Sequence, residues 1–185
     1  RLGSDASLEA TGDELRAIAL PEPVDPANQE RLLSTEIVLQ AIRAIGPENA
    51  QDFYRRLAGD DTGAARAEAA RGLSACAGTN VSATCAVLRN LAADKQPDVR
   101  AAAEVSRLIL GDEPARAAIV AALAEPPGRG DRRMLFETLR ELDRAVGRVD
   151  VSFAKDALSA IAVADKTSYG HGDTARRLLA RLAGP

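Results

Sequence analysis

Two cysteines, one histidine and three evenly spaced acid–arginine pairs are the residues of this chain whose types and spacing could do chemistry. Cys76 and Cys85 stand almost equidistant from the segment Gly78-Thr79-Asn80, so two antiparallel helices joined there would set the thiols face to face. Two readings stay open. The cysteines are either small buried hydrophobes or a disulfide pinning a hairpin, and a bridge would place the protein in an oxidising, exported or periplasmic, compartment. Without neighbouring histidines they fall short of a zinc set, so no metal is expected. His171 sits in the run YGHGD, where Tyr169 and Asp173 could converge with it on a ligand. A single histidine between glycines reads first as part of a solvated loop. There is no Ser-His-Asp set in a suitable context, no Gly-rich phosphate loop and no GxGxxG, so no catalytic residue and no cofactor is expected. Asn80-Val81-Ser82 matches a glycosylation acceptor, but a tight turn at a helix start makes Asn80 better suited to capping.

The third feature is a repeated interval. Asp25 precedes Arg31, Asp60 precedes Arg66 and Asp94 precedes Arg100, each by six positions. A single acid of this kind could simply cap a helix N-terminus while the arginine faces water. Three in register favour contacts that join neighbouring units of a repeat.

The elements that must position these residues are helices. Arg31, Arg66, Arg100 and Arg133 fall at intervals of 35, 34 and 33, and Arg176 follows after 43, a gap that must hold an insertion. Behind Arg66 the stripe Ala65, Ala69, Leu73, Cys76 has helical spacing, and behind Arg133 the stripe Phe136, Leu139, Leu142, Val146 does the same. Each stripe is followed by a stop signal and a second helical pattern. Gly46-Pro47 leads to Phe53 and Leu57, Gly78-Thr79-Asn80 to Val81, Cys85, Leu88 and Leu91, and Gly111-Asp112-Glu113-Pro114 to Ala118, Ile119 and Leu123. The unit is a helical hairpin of roughly 34 residues.

Asp94, Pro97-Asp98-Val99-Arg100, an alanine-rich helix, a Gly-containing turn and a second helix ending in Leu resemble a HEAT repeat, in particular the bacterial variety similar to phycobilisome-lyase repeats. The resemblance covers residues 25–125 and, more loosely, 131–184. It implies an all-α, right-handed α-solenoid of about four to five antiparallel hairpins, and it implies that Asp25, Arg31, Asp60, Arg66, Asp94 and Arg100 form a hydrogen-bonded ladder between hairpins. Residues 1–24 are expected to be a lead-in with a capping helix. Repeats are expected at about 25–59, 60–93, 94–126 and 127–164, a long loop at 164–173, and a C-terminal capping helix at 173–183. The fourth repeat has Pro127 where the acid should stand, and Gly170 stands six residues ahead of Arg176, so the ladder is expected to end or change there.

Composition narrows the function. With 24 basic and 27 acidic residues the net charge is −3, which supplies neither a basic footprint for nucleic acid nor a polybasic arm for a membrane. No apolar run approaches the roughly 20 residues that span a bilayer, so a soluble protein is expected. The chain opens at Arg1 without a signal-like apolar core and reads as processed or trimmed. Among HEAT-like enzymes, di-iron hydroxylases need several His-Glu motifs and alkylpurine DNA glycosylases a basic, aromatic groove; one histidine and no tryptophan fit neither. The expectation is therefore a non-enzymatic scaffold that binds another protein or peptide along the face formed by the second helices, with oligomeric state left open. Arg55, Arg56 and Arg89 are the candidate partner-binding residues on that face. The alternative is an enzyme-accessory or small-ligand role for the 164–173 loop, similar to a phycobilin-lyase scaffold.

Overall fold

The computed structural model describes residues 47–78, 80–124, 132–164 and 170–182. Among them are eight α-helices: α1 (Pro47–Leu57), α2 (Gly63–Ala75), α3 (Val81–Leu91), α4 (Pro97–Ile109), α5 (Pro114–Ala124), α6 (Arg132–Ala145), α7 (Lys155–Ala164) and α8 (His171–Leu182). A 3-10 turn, Ser152–Ala154, leads into α7. The described residues form no strand beyond one isolated bridge between Val146 and Val149. The described residues are otherwise all helices and turns, in keeping with an alanine- and leucine-rich, aromatic-poor composition.

The chain divides into two compact units, Arg1–Phe53 and Tyr54–Pro185. Of the first, only the opening turns of α1 are described. The boundary expected after residue 24 lies outside the described residues, as do Asp25 and Arg31.

In the second unit the helices pack in series. Helix α2 lies against α4, α4 against α6, and α6 against α8. The intervening helices take a different place: α3 packs on α2 and α4, α5 on α4, α6 and α7, and α7 on α8. Helix α4 thus has neighbours on every side, and its sequence allows it. Ala101, Ala102 and Ala103 are almost wholly buried, and their single methyl groups let adjacent backbones come close. By contrast α5 buries one stripe, Ala115, Ile119 and Leu123, with steps of four. Leu139 and Leu142 of α6, Leu158 of α7 and Leu178 of α8 fill the common core, each burial stabilising by about 1.5–3 kcal/mol.

The turns are built from local rules. At the end of α4 the N–H of Asp112 donates to the Arg107 carbonyl at 3.0 Å and that of Gly111 to Leu108 at 3.0 Å. Gly111 has φ +80°, the left-handed conformation that lets the chain leave a helix this way. Pro97 opens α4 at a position where no N–H is needed.

Two expectations change. Phe136 is not in the core: it is 40% exposed, and the buried face of α6 runs through Leu135, Leu139, Leu142 and Ala145. The stripe is rotated because α6 must cover both α4 and α8, which leaves Phe136 at the edge with its ring against His171. The loop expected over 164–173 is also shorter at both ends. Ala164 still belongs to α7, and α8 begins at His171, started by Thr174, whose N–H and Oγ1 both donate to the Gly170 carbonyl at 3.0 and 2.8 Å.

Candidate interaction surface

The starts of α2 and α4 each carry an aspartate two residues before the cap. Asp60 Oδ1 accepts from the N–H and the hydroxyl of Thr62 at 2.9 and 2.8 Å, and Asp94 Oδ1 accepts from the Gln96 N–H at 2.8 Å. These side chains replace missing backbone partners at the first turn. Asp94 does more. Its carboxylate receives Nε and Nη2 of Arg66 at 2.7 and 3.1 Å, a two-pronged contact between α2 and the turn ahead of α4. Arg66 also donates through Nη1 to the carbonyls of Asp60 and Asp61 at 2.7 and 3.0 Å. Arg100 repeats that second contact, donating through Nη1 to the carbonyls of Asp94 and Lys95 at 2.9 and 3.1 Å. Within each of these two six-residue pairs, then, the arginine holds the backbone of its own aspartate, while the carboxylate of Asp94 serves the arginine one hairpin earlier. The Arg66 hydrogen bond holds the Asp94 carboxyl below its ordinary range, partly offset by burial.

A further ionic system joins helices that sequence spacing could not relate. Arg71 on α2 donates Nε and Nη2 to Glu141 on α6 at 3.0 and 2.8 Å, and Nη1 to Glu68 at 2.9 Å. Arg144 adds a 2.6 Å contact to the same Glu141. One turn earlier on α6, Glu137 meets Arg140 at 2.6 Å. Burial pushes the Glu137 carboxyl up against the pull of Arg140, with Asp98 and Glu141 adding to the rise.

Cys76 and Cys85 are free thiols, so the bridge considered for them is not the arrangement the structure shows. Cys76 ends up at the C-cap of α2, half-buried. Cys85 is buried on α3, in the field of Arg89 on the same helix and of Arg107 and Asp112 at the end of α4. Burial raises both thiols, which disfavours the thiolate that reacts. His171 opens α8 with its ring edge-on to Phe136, centroids 5.6 Å apart. Tyr169 lies outside the described residues. Among the described residues no three His, Cys, Asp or Glu side chains gather to hold a metal, and no helix is long and apolar enough to cross a membrane.

The candidate partner residues are spread over two helices. Arg55 and Arg56 occupy the last turn of α1, half-buried and exposed respectively. Arg89, on α3, is exposed but donates to Asp112 at 3.2 Å, and Asp112 in turn accepts from Arg107 at 2.8 Å. Arg89 therefore has a role inside the fold.

The outer face of α5 is apolar, so no charge pattern in the sequence marks it. Ala117, Val120, Ala121 and Ala124 are exposed at helical spacing, opposite the buried stripe Ala115, Ile119 and Leu123. A helix apolar all round belongs in an interior, yet this one has an open side. Its neighbours behave alike: Ala83 and Ala86 of α3 and Ala160 and Val163 of α7 are exposed, Val163 at 74%. The signal was present in PARAAIVAALA, where the only charge is Arg116.

No family model matches the chain, and neither a curated protein nor a solved structure does.

Proposed function

We propose that the protein is a non-enzymatic, HEAT-like α-solenoid that binds a helical segment of another protein along α3, α5 and α7. The serial packing of α2, α4, α6 and α8 supports the solenoid reading, as does the Arg66–Asp94 contact between consecutive hairpins. One observation carries the binding reading. Helix α5 is apolar on both sides, and the side formed by Ala117, Val120, Ala121 and Ala124 faces outward. Small side chains at i, i+3, i+4 and i+7 let a second helix approach closely and bury its own apolar stripe. Lysine and arginine are sparse on this face, which suits a protein better than a phosphate backbone.

The test is capture from a native lysate with mass spectrometry, comparing the natural chain with Ala117→Glu/Val120→Glu/Ala121→Glu. Both should show the same circular dichroism, because these side chains point away from the core. A partner retained by the natural chain should be lost from the variant. The Arg55→Glu/Arg56→Glu variant reports on the flanking arginines separately. Equal recovery on the natural chain and the α5 variant, or no partner specific to the natural chain, removes α5 from the binding surface.

A further inference from the structure

Arg66 and Arg100 occupy equivalent places one hairpin apart and are anchored in the same way. In each, Nη1 is pinned by two successive backbone carbonyls, those of residues 60 and 61 for Arg66 and of 94 and 95 for Arg100. Pinning one nitrogen of a planar guanidinium fixes where its other edge points. On Arg66 that edge, Nε and Nη2, grips the Asp94 carboxylate. On Arg100 the same edge donates to no described residue and forms no ion pair with one. The sequence gives an independent reason: six residues ahead of the next marker, Arg133, stands Pro127, which has no carboxylate to offer.

We propose that the open edge of Arg100 is a docking point for an aspartate carboxylate of a partner protein, in the geometry by which Arg66 holds Asp94. The chemistry is that of a two-pronged, charge-assisted contact, and the cost of ordering the arginine has already been met by its carbonyl anchors. The favoured occupant is an aspartate that also accepts an N–H two residues on, since Asp94 does both at once. This site lies at the start of α4, not on the outer face of α5, so it stands or falls separately from the binding surface proposed above.

The probe is a synthetic peptide with the sequence of residues 92–98, AADKQPD, titrated into the full chain while the Arg100 Nε–Hε resonance is followed by NMR, assigned with Arg100→Gln. The expected result is a saturable shift of that resonance, weakened about tenfold when the aspartate matching Asp94 is replaced by asparagine. Three results would overturn the proposal. The first is no saturable shift, or an equal one with the asparagine peptide. The second is an equal shift with inorganic phosphate, which would make the edge a general anion site. The third is movement of the Arg100 resonance in Glu125→Gln or Asp131→Asn without peptide, which would mean that a carboxylate of the same chain already holds it.

Discussion

The ring of Tyr54 fills the space that a side chain at residue 72 would need. A Cβ built on Gly72 would come within 2.1 Å of Tyr54 Cζ and 2.2 Å of Cε1, and Tyr54 is 4% exposed. Glycine inside a helix ordinarily costs about 1 kcal/mol relative to alanine, so Gly72→Ala would be stabilising in open space. Here overpacking, typically about 1–3 kcal/mol, opposes that gain. With an approach this close to a buried ring, we expect a net loss of about 1–2 kcal/mol. Urea denaturation of Gly72→Ala checks it, and Tyr54→Leu in the same chain should recover part of the loss. A stabilised Gly72→Ala would show that the ring moves freely.

Removing Arg71 leaves Glu141, 3% exposed, with only the partly exposed Arg144 and a more distant Arg140 among the described residues. Arg71→Ala should cost about 1.5–3 kcal/mol, the range for hydrogen bonds to charged groups. Replacing both partners, as Arg71→Met/Glu141→Leu, should cost less than the sum of the single changes, because no charge is then stranded. A double-mutant cycle in urea reads this directly, and additivity would mean that the pair contributes nothing.

Two carboxyls should give opposite pH dependences. Asp94 sits below its ordinary value of 3.8, chiefly through the Arg66 hydrogen bond. Its contribution is complete above the unfolded value and disappears as pH falls through the folded one. Asp94→Asn should therefore lose about 1.5–3 kcal/mol at neutral pH and show a flatter acid limb than the natural chain.

Glu137 is raised above its ordinary value of 4.5, chiefly by burial. The stabilisation it gives is present below the unfolded value and lost as pH rises through the folded one. Glu137→Gln should accordingly be more stable than the natural chain at pH 7, with the advantage vanishing below the unfolded value. A loss at pH 7 would mean that Arg140 outweighs burial.

The thiols should titrate slowly. Alkylation without reductant should add two groups to the unfolded chain and proceed slowly on the folded one, since burial raises both Cys76 and Cys85. A mass two hydrogens lower, resistant to alkylation, would mean a disulfide.

The helices themselves were legible because their punctuation is local. Gly78, Gly111 and the Pro97 and Pro114 starts mark boundaries that depend on a few neighbouring residues. The six-residue interval between Asp94 and Arg100 was visible too, but it could not say that the arginine takes the carbonyl while the carboxylate turns to Arg66. Phe136 was misplaced because positions 135 and 136 fit a helical stripe almost equally well, and only the positions of α4 and α8 decide between them. Arg71 and Glu141 are seventy residues apart, and no pattern in the sequence could pair them.

An array in which each unit touches only its neighbours can fray from either end, one hairpin at a time. The Arg71–Glu141 link breaks that rule, because α2 and α6 are both next to α4 and are tied to each other as well. Helix α4 cannot open without loosening both sides. Native-state hydrogen exchange should consequently find α2, α4 and α6 opening as one cooperative block, with α8 fraying ahead of them.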